Sequence, residues 1–327
     1  MTSNSKFAVG VLLAALAGAV ASTTAHAQAY PNKPIRLLVG YAAGGPVDVG
    51  ARQVGAVMQK DLGQSIIVDN RPGAGGAIAG EAIAHATPDG YTLLFAASPT
   101  QTTTPHLLGK MSYDPRRDYT PISLMVIGPN VLIVRSDSTI KSVAELVAWA
   151  KANPGKASFG SAGIGASNHL AGELLAKRSG AQLLHVPYKG NSQAMTGVLG
   201  GETSFQFAGT TDVTGPIRGG RARGLAVTAA ERLKVLPDVP TMAEAGFPDF
   251  NVSVWHGLEG PPGLPQPIVA RLYAAARAAL RSPELQKFYG ESGFEIIDAS
   301  GEVLGARVNA EYEQWGDLIK GLKLNQQ

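Results

Sequence analysis

Two sets of alternating apolar and amphipathic segments follow one another from Pro31 onward. In the first set, three short apolar runs predict strands: IRLLVGY, SIIVDN and YTLLFAAS. Residues 46–62 and 75–86, which lie between these runs, are predicted to be helices. In the first of them, apolar residues recur at three- and four-residue steps and predict one buried face: Val47, Ala51, Val54, Met58 and Leu62. This alternation is typical of a parallel sheet with helices on both sides.

A second set repeats the rhythm without repeating the sequence. Its predicted strands are VLIVRS, ASFGSAG, AQLLHVPY, TSFQFAG and ARGLAVTA, and its predicted helices are 141–152, 168–179 and 192–199. A proline-punctuated loop around a short helix (235–250) and a strand-like run (NVSVWHGLEG) come next. Three amphipathic helices close the chain: 267–281, 283–291 and 301–322. Two α/β blocks of this kind place ligands at the carboxyl edges of their strands, in the cleft between lobes.

Residues 1–27 have a different character. Lys6 is their one charged residue, and FAVGVLLAALAGAVA is about as long as the apolar core of a signal peptide. Ala25-His26-Ala27 fits the small-x-small cleavage rule, so cleavage after Ala27 is expected, with an uncleaved membrane anchor as the alternative. The mature chain would then be exported to the periplasm.

Composition narrows the function further. The 327 residues carry a net charge of +3 and no basic tract, so the sequence lacks the electrostatic footprint of a nucleic-acid-binding protein. The chain has no cysteine, which excludes disulfides, thiolate metal sites and thiol catalysis. The histidines are scattered and no G-x-S-x-G or H-E-x-x-H motif occurs, so we expect no metal, no cofactor and no enzyme activity.

The first glycine-rich turn joins the first predicted strand to the first predicted helix. Gly44 and Gly45 precede Pro46, which suits the first helical position, and the only nearby acid is Asp48. Arg52 lies four residues after Asp48, so an ion pair within the helix is one interpretation of both charges. The other is that the glycine amides bind a carboxylate by geometry and partial charge, without a fixed cation.

Three further strand-to-helix turns carry neutral polar residues. FGSAGIGASNHLAGE offers Ser161, Ser167, Asn168 and His169; AGTTDVTG offers Thr210, Thr211 and Asp212; ASPTQTTTP offers Ser98 and Thr100. Each set can be explained by helix capping alone or by a ligand. NRPGAGG, in contrast, fails both the dinucleotide and the P-loop motifs, and close packing explains its small residues better.

Several longer segments resemble the Bug receptors, the periplasmic solute-binding proteins of tripartite tricarboxylate transporters. The resemblance spans the chain from about Tyr30 to the end and rests on these segments: YPNKPIRLLVGYAAGGPVDVGAR, VDNRPGAGGAIAGEAIAHATPDGYTLL, FGSAGIGASNHLAGELL, HVPYKG and LPDVPTMAEAGFPDF. It implies an α/β, two-lobed, periplasmic-binding-protein-like (type II) fold with a central cleft. Lobe 1 would comprise residues 28–127 and 256–327, and lobe 2 residues 128–255.

The resemblance also implies a function and a site. A small organic acid would be held in the cleft and passed to the membrane permease subunits of a tripartite tricarboxylate transporter, by a monomer that closes around Ile127–Pro129 and 254–257. The implied ligand-binding residues are Tyr41, Gly44, Gly45, Asp48, Ser98, Thr100, Ser161, Ser167, Asn168, His169, Thr210, Thr211 and Asp212. Many relatives have Pro-Phe at Gly40-Tyr41 and an Asp-Asn pair near Gly209-Thr210, so the ligand can differ from a tricarboxylate.

Two other functions stay open at this stage. A receptor that signals through a membrane protein would have the same sequence features. An extracytoplasmic esterase would use Ser161 or Ser167 with His169. Lys189 is the nearest candidate cation, and a solvated surface lysine is the alternative interpretation.

Overall fold

The computed structural model describes residues 30–322 and Leu324. The predicted signal peptide and its cleavage site lie outside the described residues. Residues 33–327 form one compact unit, and Met1–Asn32 form another. No helix in the described part of the chain is long and apolar enough to cross a membrane.

Ten strands and eleven helices make up the described chain, apart from a 3₁₀ turn at Ala74–Gly76. The strands are β1 (Ile35–Val39), β2 (Ile66–Asn70), β3 (Thr92–Ala97), β4 (Thr120–Arg135), β5 (Ser158–Ser161), β6 (Leu184–Pro187), β7 (Phe205–Gly209), β8 (Ala222–Val227), β9 (Ser253–Gly260) and β10 (Glu295–Ser300). The helices are α1 (Pro46–Leu62), α2 (Ala77–Ala84), α3 (Ser98–Thr102), α4 (Thr104–Leu108), α5 (Val143–Ala152), α6 (Ser167–Ser179), α7 (Asn191–Gly200), α8 (Thr210–Arg218), α9 (Gln266–Leu280), α10 (Pro283–Glu291) and α11 (Gly301–Gly321).

The strand β4 belongs to two groups of strands. Its first part pairs with β9 and β10, and β9 continues through β3 and β1 to β2; these strands form the first half of the sheet. Its last part pairs with β7 and β8, and β7 continues through β5 to β6; these form the second half. In each half, the strands farthest from β4 run parallel, as the strand–helix–strand pattern predicts.

Separate hydrophobic cores lie against the two halves. Leu38, Leu94 and Trp255 belong to one core, and Phe159, Phe205 and Phe207 to another. The long helix α11 contributes to both cores, because its first turns supply Leu304 and Val308 to the first half while Trp315, Leu318 and Ile319 pack in the second. Helix α11 therefore connects the two halves in addition to β4 and β9.

Most predicted elements are present, and three predictions need correction. Only residues 131–136 were predicted to be a strand where β4 extends over 16 residues, since proline and glycine at 128 and 129 interrupt the apolar run. Strand β10 was missed because it is half exposed and contains two acidic residues. The short helix predicted within 235–250 is absent, and this segment forms turns instead.

Candidate functional site

The predicted site residues lie where strands end and helices begin in both halves of the sheet. Tyr41, Gly44 and Gly45 follow β1, and Ser98 and Thr100 follow β3. In the second half, the corresponding turns follow β5 and β7. The carboxyl ends of parallel strands meet at one edge of a sheet, so each half brings its own set of turns together.

Asp48 holds the first glycine turn in place. Its carboxylate accepts hydrogen bonds from the Gly44 amide at 2.8 Å, from Arg52 at 3.0 Å and from the Asn70 side-chain amide at 2.8 Å. These bonds, the one from Arg52 first, lower the pKa of Asp48 to about 2 although burial opposes the shift. The Asp48–Arg52 helix pair expected from their spacing is confirmed. Asp48 thus acts here on its own chain.

The expectation that Gly44 and Gly45 present unbonded amides is wrong for this conformation. Gly44 donates its N–H to Asp48, and Gly45 donates its N–H to the Ala42 carbonyl oxygen at 3.2 Å. The amides that lack a hydrogen-bond acceptor in the described part of the chain are the next ones, Val47 and Asp48. They stand in the first turn of α1, where a helix has no internal acceptor for its N–H groups. The site for an anion therefore moves one residue or more into the helix.

Tyr41 and Thr100 join the first turn to the turn after β3. The Tyr41 hydroxyl lies 3.1 Å from Thr100 Oγ1, and the Thr100 hydroxyl lies 3.1 Å from the Gly75 carbonyl oxygen. A Cβ on Gly76 would lie 2.3 Å from Thr100 Oγ1, so only glycine fits there. Burial raises the pKa of Tyr41 and keeps it neutral. These contacts confirm that close packing explains the glycines of NRPGAGG.

Ser98 also bonds within the chain. Its Oγ accepts the Trp255 amide at 3.3 Å, which connects α3 to β9. Ser98 and Thr100 are 4 and 3% exposed, so each presents little surface to a ligand in this conformation.

Three polar residues connect the helix starts of the second half. Asn168 donates from Nδ2 to Asn191 Oδ1 at 2.7 Å, and its Oδ1 accepts the Ala162 and His169 amides. Asn191 also bonds to Asp212, whose pKa burial raises and this bond partly lowers. The three residues stand at the starts of α6, α7 and α8, so one polar chain crosses all three. Sequence reasoning missed Asn191, although Gly-Asn-Ser before a helix is a cap signal.

The serine–histidine pair of the esterase alternative is not the one expected. Ser161 Oγ lies 2.6 Å from His185 Nε2, while His169 Nδ1 accepts the Gly165 amide at 3.1 Å. The two imidazoles stack with centroids 3.9 Å apart. Burial, assisted by His169, lowers the pKa of His185 to about 4. Ser161 and His169 are 0 and 1% exposed, so neither stands in an open site.

Thr210 and Thr211 point to different environments. The Thr210 hydroxyl donates to the Pro129 carbonyl oxygen at 3.2 Å and ties α8 to the crossing strand β4. Thr211 is exposed and lines a cavity of 370 Å³. Ser167 is half buried and lines a much narrower space beside Ser98 and Gly165.

The 370 Å³ cavity brings the two halves of the sheet together. Gly44, from the turn after β1, and Thr211, from the start of α8, line the same space. Aromatic residues of α10 and the segment after it form much of the remaining wall. Of the predicted residues, these two reach this cavity; Ser161, Asn168, His169 and Thr210 are buried around it or behind it.

A larger cavity, of 750 Å³, lies elsewhere. Lys33, Arg36 and Thr92 line it, at the amino ends of β1 and β3. Ligands of open α/β sheets bind at the carboxyl ends of the strands, so the smaller cavity is the better candidate.

Cations and metals contribute little near the candidate site. Lys189 is exposed, in agreement with a solvated surface lysine. Among the described residues, no group of three or more His, Asp or Glu side chains is arranged to hold a metal ion.

Comparison with known proteins identifies the family. The model of the tripartite tricarboxylate transporter family receptor matches residues 50–324. The chain belongs to this receptor family. The structure of the periplasmic binding protein BugD is 37% identical, has a TM-score of 0.72, and matches 91% of this chain and 100% of its own.

Two ligand-bound receptors of known structure are also similar. MatC from Rhodopseudomonas palustris, with bound malate, is 32% identical at a TM-score of 0.72 and matches 89% of this chain and 100% of its own. The R. palustris protein Rpa4515, with adipate, is 31% identical at a TM-score of 0.74 and matches 89% of this chain and 97% of its own. These similarities confirm the predicted α/β, two-lobed, periplasmic-binding-protein-like fold of the receptor.

Proposed function

We propose that this receptor captures a small organic carboxylate in the cleft between its two lobes and delivers it to the permease of a tripartite tricarboxylate transporter. The lobes are residues 28–127 with 256–327, and residues 128–255. The receptor acts in the periplasm as a monomer, after cleavage of a signal peptide at Ala27. It performs no chemistry on its ligand.

The observation that carries this proposal is the cavity shared by Gly44 and Thr211. One wall belongs to the start of α1, where the Val47 and Asp48 amides have no acceptor in the described chain. The other belongs to the start of α8 in the second half. Two helix starts that face one space favour an anion through their N–H groups and partial positive charge. Bound malate in MatC and adipate in Rpa4515 support a carboxylate as that anion.

The pairing of β4 with β9 supports closure by a hinge. Ile127 pairs with Trp255 and Gly128 with Val254, so the two expected hinge segments are neighbours in one ladder. A change of backbone angles at adjacent points of two strands would rotate one half of the sheet against the other. The remaining residues of the site would then close on the ligand from the second half.

The proposal is tested with the mature chain, residues 28–327. Thermal unfolding is followed with malate, adipate and other organic acids, and with adipamide as a matched ligand without charge. A ligand that binds only the folded state raises the melting temperature, so acids should raise it and adipamide should not. A melting temperature that responds only to sugars or cations would contradict the proposal. Delivery is tested separately, by uptake of the bound acid in cells with and without the receptor gene.

A further inference from the structure

The cavity shared by Gly44 and Thr211 has walls that recognition of a carboxylate does not require. Phe288, Tyr289 and Phe294 supply aromatic surface on one side, and Val49 of α1 supplies an apolar side chain on the other. None of the residues that line it is Lys, Arg, Asp or Glu. The cavity therefore suits an uncharged, apolar part of a ligand. At 370 Å³, it has the size of a small-molecule pocket.

Two polar atoms of the wall have no partner in the described chain. They are the Tyr289 hydroxyl and His256 Nδ1, on side chains that belong to residues 2 and 3% exposed. A buried polar group without a hydrogen bond is costly, and most such groups in proteins are paired with protein or water. Two on the wall of one cavity point to a ligand that supplies the missing bonds.

The surrounding residues hold these two groups in fixed positions. The His256 ring stacks on Phe294, with centroids 5.3 Å apart, and is tilted against Phe95 at 5.2 Å. Gly50 of α1 also lines the cavity, and a Cβ there would lie 3.6 Å from the Tyr289 hydroxyl oxygen. The phenol thus lies against a helix backbone with no side chain between them.

Both groups are uncharged at neutral pH. Burial lowers the pKa of His256 to about 4 and raises the pKa of Tyr289 well above its usual range. A neutral phenol and a neutral imidazole can bond a hydroxyl or carbonyl group, but they do not compensate the charge of a second carboxylate.

We propose that this receptor binds a monocarboxylate whose ring-sized apolar body lies against Phe288 and Phe294 and carries a hydroxyl group that bonds Tyr289 and His256. The inference rests on the proposed function, because the carboxylate of this ligand is held at the start of α1. A hydroxy-substituted aromatic acid has this combination of groups, whereas a short aliphatic diacid has a second charge and no ring.

The test is calorimetric titration of the mature chain at neutral pH. The ligands are 3- and 4-hydroxybenzoate, benzoate, malate and adipate. We expect at least one hydroxybenzoate to bind about three- to tenfold more tightly than benzoate, the range given by one net hydrogen bond. Both aromatic acids should bind more tightly than malate and adipate.

Tyr289→Phe is the decisive variant, because it removes the hydroxyl and retains the ring. It should bind hydroxybenzoate and benzoate with equal affinity. Tyr119→Phe is the matched control: Tyr119 is also buried and its hydroxyl has no partner, but it does not line this cavity. The control should retain the preference of the wild-type protein.

The outcomes separate the two proposals. Tight binding of malate or adipate without binding of aromatic acids would overturn the ring-acid inference and leave the proposed function standing. A preference for hydroxybenzoate that survives Tyr289→Phe would also overturn the inference. Failure of every carboxylate to bind would overturn the proposed function itself.

Discussion

The carboxylate of Asp48 accepts the amide hydrogen of Gly44 at a distance of 2.8 Å. An acid in the first turn of α1 therefore occupies the place that a bound anion would take in a phosphate-binding glycine loop. It fixes the shape of the turn and leaves the Val47 and Asp48 amides directed to a separate acceptor. The turn can thus be rigid without a fixed cation and without a ligand.

We expect the negative charge of Asp48 to stabilise the receptor. Its pKa is lowered from 3.8 to about 2 in the folded protein, so this stabilisation is present above pH 3.8 and is lost as the pH falls towards 2. Asp48→Asn should lower the free energy of unfolding at pH 7 by about 1–2 kcal/mol. Urea unfolding of both proteins across this pH range measures the effect, and the difference between them should shrink on acidification. A difference that stays constant with pH would contradict the role of the charge.

Gly45→Val should weaken ligand binding much more than folding. Gly45 has φ of −74°, which any residue adopts, so valine adds no backbone strain. Its Cβ would lie 3.2 Å from the Ala42 carbonyl oxygen, and its methyl groups would stand at the entrance to the first turn of α1. We expect a loss of affinity of about tenfold or more, and a change in unfolding free energy below about 1 kcal/mol. Equal effects, measured by titration and by urea unfolding, would indicate a purely structural turn.

Local sequence spacing predicted what depends on local geometry. Asp48 and Arg52 are one helical turn apart, so their ion pair follows from spacing alone. The parallel strands, the main helices and the turns that carry the site follow in the same way from the alternation of apolar and amphipathic runs.

Contacts between distant segments could not be predicted in this way. His185 meets Ser161 because β6 lies beside β5, and the register of two short strands is not encoded in either one. Tyr289 and His256 come from the last third of the chain and face the first glycine turn across a cavity. Their residue types are common in hydrophobic cores, so only their position in the fold distinguishes them.

The buried serine and histidines should give no hydrolytic activity. Ser161 bonds to a histidine whose pKa of about 4 makes it a weak base, and Ser161 itself is inaccessible. We expect the purified receptor to hydrolyse nitrophenyl esters no faster than Ser161→Ala or His169→Ala. The measurement is the initial rate of nitrophenol release at neutral pH, with heat-denatured receptor as the background. Turnover that His169→Ala abolishes would restore the esterase alternative.

Asn191→Ala should disturb the second half of the site through two neighbours at once. The substitution leaves Asn168 Nδ2 without its acceptor at 2.7 Å and removes the bond that lowers the pKa of Asp212. Because Asn168 also fixes the Ala162 amide, the turn between β5 and α6 loses part of its support. We expect affinity for the acid to fall about tenfold and the free energy of unfolding by about 1–2 kcal/mol, the cost of unsatisfied polar groups. Ser192→Ala is the control on the adjacent residue: only the backbone oxygen of Ser192 is bonded, to Thr196, so this variant should bind like the wild type. If Asn191→Ala and Ser192→Ala bound the acid equally well, the polar chain across the three helix starts would have no part in recognition.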